Sequence, residues 1–76
     1  MERFDHHGQP IELIVFGNID SDRLVIECWD MAVDGGLIFN IWRRPDTQLL
    51  MLEPFAKTIS LDLIDRVKAF AADELP

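Results

Sequence analysis

The chain has a single cysteine, Cys28, so no intrachain disulfide and no thiolate metal cluster is possible. Basic residues are scarce: seven lysines and arginines stand against fourteen acids, a formal charge of −7. A nucleic-acid binder needs a basic stripe to displace counterions, and the longest basic run here is Arg43-Arg44. The same acidity disfavours anionic membranes, and it suits solubility or a basic protein partner. Unbroken apolar runs stop at four residues, far short of the roughly twenty that a membrane helix needs. The polar first nine residues carry no signal-peptide pattern, so a cytoplasmic location is the default expectation.

Catalytic patterns are missing as well. There is no glycine-rich phosphate loop, no HExxH helix, and no serine with a matching histidine and aspartate pattern. His6-His7 beside Asp5 has no second His or Cys pair to complete a metal site and reads as a solvated tail. Asn18-x-Asp20-x-Asp22 imitates the first ligands of a calcium loop. Arg23 stands where the loop glycine belongs and Trp29 where the bidentate glutamate belongs, so a hairpin turn is the better reading. Cys28 has no activating His or Lys near it in sequence and reads as a small buried hydrophobe. No metal, no cofactor and no catalytic residue is expected.

What the sequence does hold is apolar bulk. Of its 76 residues 49% are hydrophobic, with five Phe and two Trp, which argues against disorder. A single domain over residues 1–76 is expected, near the lower limit for a chain that buries its own core. A chain so short and so apolar points to an oligomer or an obligate partner.

The elements can be read in order. Residues 1–9 show no period and read as a loosely ordered leader in which Phe4 is tucked down. Ile11–Gly17 is β-branched and apolar on both parities, hence a strand. Asn18–Asp22 is rich in turn-capping residues. Arg23–Val33 is a second strand, irregular near Asp30-Met31. Asp34-Gly35 suits a two-residue type I′ turn, which needs φ > 0 at both centres. Gly36–Arg43 is the third strand, Pro45-Asp46 a turn, and Gln48–Leu52 the fourth strand. Ser60 then caps a helix from Leu61 to about Glu74, with Leu63, Ile64, Val67, Phe70 and Ala71 on one stripe. The expected fold is α+β, a four-stranded antiparallel meander with one C-terminal helix on one face.

Two-residue turns set the register. Val15 should face Ile26 and Leu13 should face Cys28. Cys28 should then face Ile41, Trp29 Asn40, Ile41 Leu50, and Trp42 Leu49. One face then carries Leu13, Val15, Leu24, Ile26, Cys28, Leu37, Phe39, Ile41, Leu50 and Leu52, and the helix must pack there. The opposite face carries Ile14, Phe16, Val25, Trp29, Met31, Ile38, Trp42, Leu49 and Met51, with Glu12, Glu27, Asn40 and Glu53 as its polar members. A solvated sheet face should alternate apolar with polar, and this one does not. Four strands about six residues long make a face of very roughly 400 Å² in projection, of which a single helix shadows about half.

The second face is therefore expected to be a binding surface built from Phe16, Val25, Trp29, Ile38, Trp42, Leu49 and Met51. The simplest occupant is a second copy in a two-fold dimer, which makes the chain a non-catalytic interaction protein and a candidate stoichiometric binder or inhibitor of a basic protein. The alternative is a small-molecule-binding protein or enzyme whose pocket forms between sheet faces in a dimer. Glu12 or Glu27 and the tryptophans would line it, and a carboxylate stripped of water there would serve as a general acid or base. A salt bridge to Arg43, Arg44 or a partner's arginine is the simpler fate for those carboxylates.

Overall fold

Five strands and one helix follow one another in the computed structural model, which describes residues 1–18 and 23–76. They are β1 (Glu2–His6), β2 (Gln9–Asn18), β3 (Arg23–Asp30), β4 (Leu37–Arg43), β5 (Leu50–Pro54) and α1 (Leu61–Glu74). The strands form one antiparallel sheet in the order β1-β2-β3-β4-β5. The α+β class and the C-terminal helix are as expected, and the strand count is five instead of four.

The extra strand is the leader. His7 and Gly8 take φ values of 52° and 85°, the two left-handed centres that a two-residue hairpin turn requires. The Gly8 N–H donates to Asp5 Oδ2 at 3.0 Å and helps hold the turn. Phe4 faces Ile11 across the new pair and packs against the core. The guanidinium of Arg66 on α1 lies 3.8 Å from the centre of the Phe4 ring, tying β1 to the helix. Phe4 is the one large apolar side chain in Glu2–His6, so no alternation announced the strand.

The β2–β3 pairing has the expected register, with Val15 opposite Ile26 and Leu13 opposite Cys28. The turn expected within Asn18–Asp22 to set it falls on residues 19–22, which lie outside the described residues. The β3–β4 connection differs. Gly35 has a φ of 69° but Asp34 does not adopt positive φ, so the type I′ turn does not form. β3 stops at Asp30, whose N–H donates to the Gly36 carbonyl at 2.8 Å and whose Oδ1 accepts from the Ala32 N–H at 2.9 Å. Met31 to Gly35 thus becomes a loop, and Met31 and Val33 are exposed. Gly36 is needed where that loop closes, because a Cβ there would sit 2.4 Å from the Asp30 carbonyl oxygen.

The longer loop brings a register shift between Cys28 and Trp29, so that Cys28 faces Phe39 and Trp29 faces Leu37. Ile38 is the extra residue of this bulge. Its carbonyl accepts from the Phe55 and Ala56 N–H groups at 2.9 and 3.1 Å, and its side chain enters the core. The places expected for Leu37 and Ile38 are therefore exchanged.

At the next turn Gln48 adopts a φ of 63°, its N–H donates to the Arg44 carbonyl, and the Arg44 N–H donates to the Leu49 carbonyl, each at 2.8 Å. Four residues turn the chain where two were expected, so Ile41 faces Leu52 and Trp42 faces Met51. A shift by two leaves every side chain on its expected face.

The helix behaves as its sequence requires. The Ser60 hydroxyl accepts from the Leu63 N–H at 3.3 Å, and Leu63, Val67 and Ala71 are buried. They meet Ile11, Leu13, Ile26, Cys28, Ile38, Phe39 and Ile41 in one core, with Ile64 and Phe70 partly buried against it. No helix among the described residues is long and apolar enough to cross a membrane.

A candidate interaction face

The side of the sheet away from α1 is organised in rows that run across the strands. One row is Phe16, Val25, Trp42 and Met51, wholly apolar. The next, two residues along each strand, is Ile14, Glu27, Asn40 and Glu53. A third is Arg3, Glu12, Trp29 and Leu37. The second face is thus apolar in bands, with an acidic row between two rows that contain tryptophan.

Five of the seven residues expected at a binding surface meet on this face. Phe16 is exposed at 38%, Trp29, Trp42 and Met51 are half-buried, and Val25 is buried between Phe16 and Trp42 in its row. Two do not join them. Ile38 lies in the core at 7% exposure because the bulge turns it under the helix, and Leu37 takes its place. Leu49 precedes β5, in the longer turn, and is 60% exposed.

The polar groups of the face are only partly satisfied. Glu12 is buried and accepts from Arg3 Nε at 2.9 Å, while the Arg3 side chain is 71% exposed. Arg3 was not a foreseen partner because β1 was not foreseen; the His7-Gly8 pair is the sequence signal that points to both. Arg43 points instead toward the loop, its Nη1 donating to the Gln48 carbonyl, and Arg44 grips Asp46 through Nε and Nη2 at 3.0 and 2.7 Å. The Trp29 indole N–H donates to Glu27 Oε1 at 3.3 Å. Arg23 stacks on Trp42, its guanidinium carbon 4.9 Å from the ring centre. Among the described residues Asn40 Oδ1 is buried without a hydrogen-bond partner.

Elsewhere the candidate chemistry is sparse. Cys28 is fully buried, and its thiol is pushed up to about 12 by desolvation and then by the charge of Asp30, the reverse of what a nucleophile needs. The His6 and His7 rings meet edge-on at 4.6 Å. Among the described residues no three His, Cys, Asp or Glu side chains are close enough to hold a metal ion. Of the calcium-like Asn18–Asp22 stretch, Asp20 and Asp22 lie outside the described residues. A groove of about 440 Å³ opens at the ends of β3 and β4, lined by Arg23, Leu24, Arg43 and Leu75. A second, of about 430 Å³, lies at the β1–β2 edge beside Met31. Neither is at the centre of the tryptophan-bearing face. No protein-family model, curated protein or solved structure matches the chain.

Proposed function

We propose that the protein is a small non-catalytic interaction protein that acts as a homodimer through the tryptophan-bearing face of its sheet. The observation that carries this reading is the asymmetry of the sheet. α1 and the core occupy one face, while Phe16, Trp29, Trp42, Leu37 and Met51 stand on the other with no element of the described chain over them. Five strands about 4.8 Å apart and about seven residues long give that face very roughly 550 Å² in projection. This approaches the roughly 800 Å² of accessible surface that each partner contributes to a stable interface. The grooves lie at the margins of this face, one beside Arg23 and the other beside Arg3 and Glu12, and neither is lined by the row Phe16, Val25, Trp42 and Met51, which favours contact with a protein surface over enclosure of a small molecule. The excess of acid suits a further role as stoichiometric binder or inhibitor of a basic protein.

Both tryptophans of the chain are on the proposed surface, so fluorescence reads its burial directly. On dilution from about 100 µM to about 0.1 µM, a range spanning micromolar affinity, emission should shift to longer wavelength and iodide quenching should rise. Emission and quenching that stay constant at the values of exposed indole across that range would count against the reading.

A further inference from the structure

Resting on the homodimer reading, we infer that the two-fold axis runs along the apolar row Phe16-Val25-Trp42-Met51, so that Glu27 of each copy meets the partner's Arg23. The residues on either side of that row carry the inference. On β3, Arg23 lies two residues before Val25 and Glu27 two residues after it. On β4, Asn40 lies two residues before Trp42; Arg44 follows the end of the strand, two residues after Trp42, with its guanidinium held by Asp46. Each step of two residues is about 6.7 Å along a strand, so Arg23 on one side and the Glu27–Glu53 row on the other flank the apolar row at equal distances. Arg23 and Glu27 are about 13 Å apart on one strand and cannot pair within a copy.

Rotation by 180° about an axis along the apolar row leaves each strand over its counterpart and exchanges the two flanking rows. Phe16, Val25, Trp42 and Met51 then stack on their own copies, Glu27 comes over the partner's Arg23, and Asn40 comes over the partner's Arg44. Three other axes fare worse. An axis along the Glu27–Glu53 row lays those carboxylates on their own copies, and one along the Glu12 row does the same to Glu12 and Arg3. An axis parallel to the strands, between β3 and β4, lays Arg23 over the partner's Arg44. Like charges placed together across an interface are strongly disfavoured.

The charge of the face also selects a second copy over a basic partner. Asp5, Glu12, Glu27 and Glu53 are set there against Arg3 and Arg23, an excess of two acids out of the chain's seven, so most of the chain's excess acid lies elsewhere. Arg23 has no carboxylate partner within 4 Å among the described residues, and Glu27 accepts only from the Trp29 indole. Among the described residues neither charge meets an opposite charge within its own copy; Arg23 lies over the Trp42 ring and Glu27 holds the Trp29 indole.

Two charge-reversal variants, Glu27→Arg and Arg23→Glu, test the axis, with far-ultraviolet circular dichroism checking that each retains the wild-type fold. Each variant alone converts both copies of the contact to repulsion, and its dimer dissociation constant should rise at least about tenfold. When the two variants are mixed in equal amounts, the introduced arginine of one chain meets the introduced glutamate of the other. The unchanged Arg23 of the first chain then meets the unchanged Glu27 of the second. The mixture should form a heterodimer within about threefold of wild-type affinity, because both contacts become attractive again. A wild-type dimer with variants that dimerise as tightly as wild type, or that stay apart on mixing, overturns the axis and leaves the homodimer standing. A wild-type chain that is monomeric at about 100 µM overturns both, since even a micromolar interface would be filled there.

Discussion

Cys28 shows how burial decides chemistry at the scale of one residue. It sits opposite Leu13 on one side and Phe39 on the other, fully covered, with the Asp30 carboxylate as the charge that acts on it. Both effects penalise the thiolate, which is why the thiol is pushed up to about 12 from an ordinary 9.0. Folded protein therefore holds this proton where unfolded chain has lost it. The thiol's contribution to stability is complete below 9.0 and declines as pH rises through the window to about 12. Denaturation followed at pH 8, 9, 10 and 11 should show this loss, and Cys28→Ala should lack that part of the slope while being less stable overall. Native protein at pH 8 should resist iodoacetamide that labels the urea-unfolded chain rapidly. The burial of Cys28 was legible in its apolar neighbours. The influence of Asp30 was not, because it depends on where β3 ends.

Among the elements, α1 was legible to its boundaries because three independent signals agree over Leu61–Glu74: the Ser60 cap, the apolar stripe and the change of period. The strands were legible as elements and less so as pairs. Parity survived at the β4–β5 turn because the loop grew by two residues. It failed at Leu37 and Ile38 because the β3–β4 loop brought a bulge of one. Asp34-Gly35 carries the strongest hairpin signal in the chain, yet the local preference yields to bonds made at longer range. These are Asp30 to Gly36 and Ile38 to Phe55 and Ala56. β1 was not legible in its own residues, since one phenylalanine among four polar residues makes no pattern, and His7-Gly8 was the one local sign of its turn. Gly36 holds the β3–β4 connection closed by having no side chain. Gly36→Ala should cost about 2 kcal/mol, as overpacking against a fixed neighbour does, whereas Gly35→Asn, which meets open space and bears only the strain of a side chain at a φ of 69°, should cost less, under about 1 kcal/mol. Urea midpoints of the two variants check this, and equal midpoints would mean that the loop closes in some other way.

For the whole molecule, the decisive property is a sheet with two apolar faces and one helix. Apolar residues on both parities of β2 and β4 made the second face legible, since a strand covered on one side only would alternate. Its division into an apolar row beside an acidic one was not legible, because rows exist only once the register is known. The same register that removes Ile38 from the surface aligns Val25, Trp42 and Met51 across three strands, and Phe16 extends them to a fourth. Sedimentation equilibrium tests the proposal that this face is covered by a second copy most directly. At about 100 µM, well above a micromolar dissociation constant, wild type should sediment at twice the 8.8 kDa chain mass. Under the same conditions Trp42→Lys, a charge placed at the centre of the apolar row, should sediment at 8.8 kDa. A wild-type chain that sediments at 8.8 kDa, or a Trp42→Lys variant that stays dimeric, would contradict the account.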